Sequence, residues 1–110
     1  MEAEEIKQRF QQYVDSYIKV EFSRGAVIGV MNYYCKNDSN RHLVLKFLTG
    51  KTSSKQLTDA EWFALFKFVQ PTKPPGGKWT SAHGYELERV CGIILTAIAD
   101  QPRQMKMELS

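Results

Sequence analysis

The sequence has no run of eighteen apolar residues, so nothing in it predicts a membrane-spanning helix. It also lacks the basic start and apolar middle of a secretory signal. Glu2, Glu4, Glu5 and Asp15 occupy the first twenty positions, and the chain is expected to stay in the cytoplasm with no membrane contact. Cysteine is scarce. Cys35 and Cys91 can meet in space, but a 110-residue domain folds without covalent staples, and two such thiols are expected to be reduced and buried. Proline is rare outside Pro71, Thr72, Lys73, Pro74, Pro75, Gly76, Gly77, a stretch that can neither propagate a helix nor pair centrally in a sheet. No internal repeat is present, and a net charge of +3 excludes the self-repelling composition of disordered chains.

What remains is an ordinary globular mixture, 43% hydrophobic and 25% charged. At this length the composition predicts one domain that buries roughly two-thirds of its unfolded surface.

The apolar spacing is that of helices. Ile6, Phe10, Tyr13, Val14, Tyr17 and Ile18 recur three and four apart, on one face of a helix beginning near Glu2. Ser23 is placed to cap a second helix with Ala26, Val27, Val30, Met31 and Tyr34 on one face, ending at Asn37, Asp38, Ser39 and Asn40. Its β-branched content leaves residues 27–34 as an alternative strand, which would make the fold α+β. Leu43, Val44, Phe47 and Leu48 predict a third helix terminated by Gly50. Thr58, Asp59, Ala60, Glu61 is a capping box, followed by an apolar stripe of Trp62, Leu65, Phe66 and Val69 that Pro71 stops. After the loop at 71–77, Ser81 is expected to cap a last helix with Leu87, Val90, Cys91, Ile94 and Ile98 inward, ending before Pro102. The expectation is thus all-α, a bundle of about five short helices in a single domain over 1–102, with a flexible tail at 103–110.

The spacing carries no signature of catalytic or metal chemistry. Gly50, Lys51, Thr52 resembles the end of a phosphate-binding loop, but Leu45 stands where that motif needs its first glycine. His42 lies seven residues after Cys35 and His83 eight before Cys91, neither at the close spacing of zinc ligands. Cys91 with either histidine could supply a thiol nucleophile and base, yet Cys91 falls within an apolar stripe where burial suppresses the thiolate. Glu86 and Glu88 point to different sides of a helix. A non-enzymatic protein without metal or cofactor is expected. Pro71 and Pro74 also meet the minimal spacing of a polyproline ligand, for which a connector between helices is the simpler reading.

Charge carries more information. From Met1 to Phe22 three basic residues face five acidic ones, whereas from Ser23 to Thr58 six cations (Arg24, Lys36, Arg41, Lys46, Lys51, Lys55) stand against Asp38 alone. Lys73 and Lys78 add to them from the Pro/Gly loop. If these eight gather on one side, they form a surface that tracks phosphates without reading bases, and Tyr33, Tyr34 and Trp79 can stack on nucleobases wherever they are exposed. The alternative is a small protein–protein interaction module, an adaptor or regulator. In it the cations only solubilise, and Phe22, Trp62, Phe63, Phe68 and Trp79 supply apolar surface beyond the needs of a small core.

A small, slightly basic, mostly helical chain of this organisation resembles the helical small subunits of CRISPR RNA-guided surveillance complexes. The likeness spans the whole chain and rests on no single motif. It implies a non-catalytic subunit, present in several copies or fused to a large subunit. Such a subunit docks on larger proteins and supports guide and target strands through backbone contacts, while base pairing carries specificity. Arg24, Lys36, Arg41, Lys46, Lys51, Lys55, Lys73 and Lys78 are its candidate contacts, and the acidic opening segment is suited to a protein neighbour.

Overall fold

Three of the helices begin where a short polar side chain satisfies backbone donors that have no partner within the helix. The computed structural model describes the backbone of residues 2–109 and the side chains of residues 2–100. Ser23 Oγ accepts from the Ala26 N–H at 3.1 Å and starts α2 (Arg24–Cys35). Asn37 Oδ1 accepts from Asn40 N–H at 2.8 Å and starts α3 (Asp38–Thr49). At α4 (Asp59–Val69) the capping box is complete. Thr58 Oγ1 accepts from Glu61 N–H at 3.2 Å, and Glu61 Oε1 accepts from Thr58 N–H at 2.9 Å. Before them runs α1 (Ala3–Asp15), with Glu4 and Glu5 at the positive end of its dipole, and after them α5 (Gly84–Leu109).

The helix ends are equally specific. Gly50 ends α3 in the left-handed region, φ 77°, and gives its N–H to Lys46 carbonyl at 2.8 Å. The carbonyls that α4 leaves open are taken by the segment that precedes α5. Ser81 Oγ donates to Val69, His83 Nε2 lies 3.0 Å from the Phe68 oxygen, and Ala82 N–H donates to Gln70. The chain can return to that point because Pro71–Thr72 (β1) pairs antiparallel with Thr80–Ser81 (β2), Pro71 opposite Ser81.

Helix α4 is the centre of the bundle. Trp62, Phe63, Ala64, Leu65, Phe68 and Val69 are all buried, so it is apolar nearly all round, as a helix covered on several sides must be. Helix α1 lies along it, with Phe10 edge-on to Phe68 at 6.2 Å, and α2 packs on α3, α4 and α5. Val27, Val44, Leu65 and Ile94 close the core from four different helices.

The fold is the mostly helical bundle that the spacing predicts, and residues 27–34 are helix, not strand. Several local expectations are corrected. Helix α1 stops at Asp15, and Tyr17 and Ile18 lie beyond it in an irregular segment, Ile18 61% exposed. Asp38, Ser39 and Asn40 are the first turn of α3, because Lys36 at φ 82° and Asn37 suffice to reverse the chain. Leu43 is exposed and Leu45 takes its place in the core. Ser81 caps the end of α4 instead of the start of α5. Phe63, Phe68 and Trp62 are core, and Phe22 stacks on Phe66 at 4.6 Å, so these rings are not surplus surface. The backbone of α5 runs to Leu109, through the expected stop at Pro102. The side chains of the expected tail at 103–110 lie outside the described residues.

Candidate functional site

The eight predicted contact residues do not form one cluster. Arg24 opens α2 and Lys36 follows its last residue, so the two are about 18 Å apart along the helix. Arg24 pairs with Asp59 at 3.0 Å and lies over the Trp62 ring, and Lys51 donates to Glu61. Those two cations are thereby neutralised at the start of α4. Lys55 sits in the 3-10 turn Ser54–Gln56 that leads into the same helix, and Lys46 in the last turn of α3.

Lys36, Arg41, Lys73 and Lys78 belong to the opposite end. Lys36 pairs with Glu88 of α5 at 2.8 Å. The bond to Glu88 and its charge raise the Lys36 pKa; desolvation opposes the rise and the nearby Tyr33 phenol adds to it. Arg41 is held by its own surroundings, donating from Nε to Asn32 Oδ1 at 2.6 Å and lying 3.4 Å from His42 Nε2. Lys73 rests over the Trp79 ring at 6.0 Å.

Aromatic rings converge on this second end, and only in part at positions the sequence singles out. Tyr33 is 69% exposed, edge-on to Tyr34 at 4.9 Å. Tyr34 itself is half-buried, with its hydroxyl against Gly84, where a Cβ would stand 2.2 Å away. The first turn of α5 can approach α2 this closely only because residue 84 has no side chain. Next to that contact Tyr85 is 87% exposed, and Trp79, on the hairpin that leads into α5, is 43% exposed. The hairpin strands touch α2 and α5, which ties the loop carrying Lys73, Lys78 and Trp79 to the same end. Arg89, one turn after Tyr85, adds an exposed cation. Tyr85 and Arg89 are four apart on a helix whose inward face is set by Leu87, Val90 and Cys91, and that spacing is the sequence signal that could have found them.

Both histidines serve the fold. His42 Nδ1 lies 2.8 Å from the Thr52 carbonyl oxygen, tying the following loop to α3, and His83 closes the end of α4. Cys91 lies against Cys35, Sγ to Sγ 3.4 Å, in the core. Among the described residues no three His, Cys, Asp or Glu side chains come together as a metal site, and no helix is long and apolar enough to cross a membrane. A cavity of about 210 Å³ opens between α1, the end of α4 and the start of α5, with Arg9, Tyr13, His83 and Glu86 over Phe68 and Leu87. That volume is below the range of sites for cofactor-sized ligands. Arg9 and Glu86, 3.7 Å apart at its mouth, answer each other's charge.

No protein family, curated protein or solved structure matches the chain.

Proposed function

We propose that the protein is a non-catalytic helical subunit that binds single-stranded nucleic acid at the end formed by the α2–α3 turn, the hairpin and the first turns of α5. The observation that carries this reading is the exposure of Tyr33, Trp79 and Tyr85 at the end that also presents Lys73, Lys78 and Arg89. Exposed rings cost a folded protein solubility and return nothing to its core. Rings interleaved with ammonium and guanidinium groups suit unstacked bases on a phosphate chain, each stacked base contributing about 1–3 kcal/mol. Arg24, Lys36 and Lys51, committed to carboxylates, leave the interface under this proposal, and Lys46 and Lys55 lie away from it. The resemblance to small subunits of RNA-guided complexes extends the proposal to assembly with larger proteins, and makes single-stranded RNA and DNA the probes of choice.

Titration against labelled oligonucleotides at two salt concentrations tests the reading. Tyr33→Ala with Tyr85→Ala is expected to weaken binding about tenfold or more. Lys73→Glu with Lys78→Glu is expected to weaken it and flatten the salt dependence, and Lys46→Glu with Lys55→Glu to leave it unchanged. Absence of binding at low salt, or equal loss from both lysine pairs, refutes it.

The adaptor reading keeps one specific support. Tyr17, Ile18 and Val20 are exposed together in the irregular segment between α1 and α2, an apolar strip suited to a protein neighbour. A partner recovered from the native source and lost on Ile18→Asp, with no nucleic acid bound, would favour it.

A further inference from the structure

We propose that Cys35 and Cys91 are a dithiol that a hydroperoxide converts into an intramolecular disulfide, fastening α2 to α5. Their Sγ atoms lie 3.4 Å apart, and each residue is 1% exposed. A disulfide needs about 2.05 Å between the sulfurs, so they must approach by roughly 1.4 Å. The surroundings allow that step. Cys35 is the last residue of α2, followed by Lys36 at φ 82°, so the chain is already leaving the helix where it would have to shift. Cys91 is two turns into α5, flanked by the buried Val90 and Ile94, and stays in place.

The two thiols are not equivalent. The hydrogen bond from Cys91 lowers the Cys35 pKa; burial opposes this, and the charge of Arg41 adds to the lowering. Cys91 is pushed up by the bond to Cys35, by burial, and by the charges of Cys35 and Glu88. Cys35 stands at the open end of α2 on the side of the Arg41 charge, whereas Cys91 lies within the apolar face of α5 beside Val90 and Ile94, so Cys35 is the thiolate that attacks and Cys91 the partner that resolves. The Cys35 thiolate attacks one peroxide oxygen and the O–O bond breaks. The other oxygen leaves as alkoxide and takes a proton to become an alcohol, while Cys35 becomes a sulfenic acid. Cys91 then attacks the Cys35 sulfur, the S–O bond breaks, and hydroxide leaves with the Cys91 proton as water. Two thiols and one hydroperoxide give one disulfide, one alcohol and one water. The two sulfurs lose one electron each and the peroxide bond gains both. Burial favours a small oxidant over a bulky disulfide reagent, and hydrogen peroxide is the probe.

The fully reduced chain, freed of reductant, is treated with hydrogen peroxide at neutral pH, then unfolded in excess alkylating agent and weighed intact. The expected product has lost two hydrogens, carries no alkyl group and yields a Cys35–Cys91 cross-linked peptide. It melts at higher temperature than the reduced protein and reverts on reduction. Capture of the Cys35 sulfenic acid by Cys91 is expected to be more than about tenfold faster in the folded chain than in the same chain in urea, because the fold supplies the proximity. Cys91→Ser is expected to accumulate a sulfenic acid at Cys35. Two alkylated cysteines after peroxide, cross-linked dimers alone, over-oxidation of one sulfur without a bridge, or equal rates folded and unfolded would each overturn the proposal. These wild-type measurements decide it even if the serine variant does not fold.

Discussion

Removing the Glu61 side chain tests how the start of α4 is held. Glu61 accepts from the Thr58 N–H within the capping box and from Lys51 Nζ across the following loop, and it is mostly buried while Lys51 is 33% exposed. The bond from the Thr58 N–H contributes about 1 kcal/mol and the ion-paired bond from Lys51 about 1.5–3 kcal/mol. Lys51 returns to water when its partner goes, which holds the net cost of Glu61→Ala to about 2 kcal/mol. Against a total of about 5–15 kcal/mol for a domain of this kind, that is a large fraction. It corresponds to a melting temperature lower by about 8 °C.

The pH dependence has a definite sign. Burial raises the Glu61 pKa, but the bonds from Lys51 and Thr58 outweigh it, and the group titrates below its ordinary value. A carboxyl lowered in the folded state gives stability that is complete above the unfolded pKa of about 4.3 and is lost as pH falls through the folded value. Glu61→Gln keeps the shape and an acceptor for Thr58 but not the charge. Its deficit relative to wild type should be largest near neutrality and shrink as pH falls below about 4.3. Urea unfolding across that range is the assay, with Lys51→Met alone and combined to isolate the pair. Two outcomes refute the reasoning: variants within about 0.5 kcal/mol of wild type, the range of an uninvolved surface site, or a deficit that does not change with pH.

Ile94→Ala removes a fully buried side chain from the α5 face of the core and is expected to cost about 2–5 kcal/mol in denaturant unfolding, with the far-ultraviolet spectrum preserved. Gly50→Ala meets no atom within 4 Å, so its cost is the left-handed backbone alone, about 1–2 kcal/mol, and Gly50→Asn should recover part of it.

Much of the fold is legible in local chemistry. Ser23, Asn37 and Thr58 each stand where a helix starts, and only Asn37 is misread, because an Asn-Asp-Ser-Asn run reads equally as a loop and as a cap with its first turn. Tyr17 and Ile18 continue the helical period of α1, but a period persists in sequence after the backbone has stopped following it. The misplacement of Phe63 and Phe68 has a different cause. A stripe predicts one buried face, and α4 is covered on several, which depends on the positions of α1, α2 and the hairpin.

The candidate site is the less legible part. Counting cations in the middle third finds charge without its partners, and the partners of Arg24, Lys36 and Lys51 are 35, 52 and 10 residues away in the chain. Tyr85 and Arg89 escape notice because they flank the acidic Glu86 and Glu88.

Helical period, caps and terminators are set by residues within a turn or two of one another, so the sequence by itself determines the helices and most of their starts. Which charges remain free, which rings face water and whether two sulfurs meet are properties of pairs far apart in the chain. They are decided only when α2 packs on α5 and the loops fold back on α3 and α4, because charge neutralisation and exposure depend on distance in space and not on order along the chain.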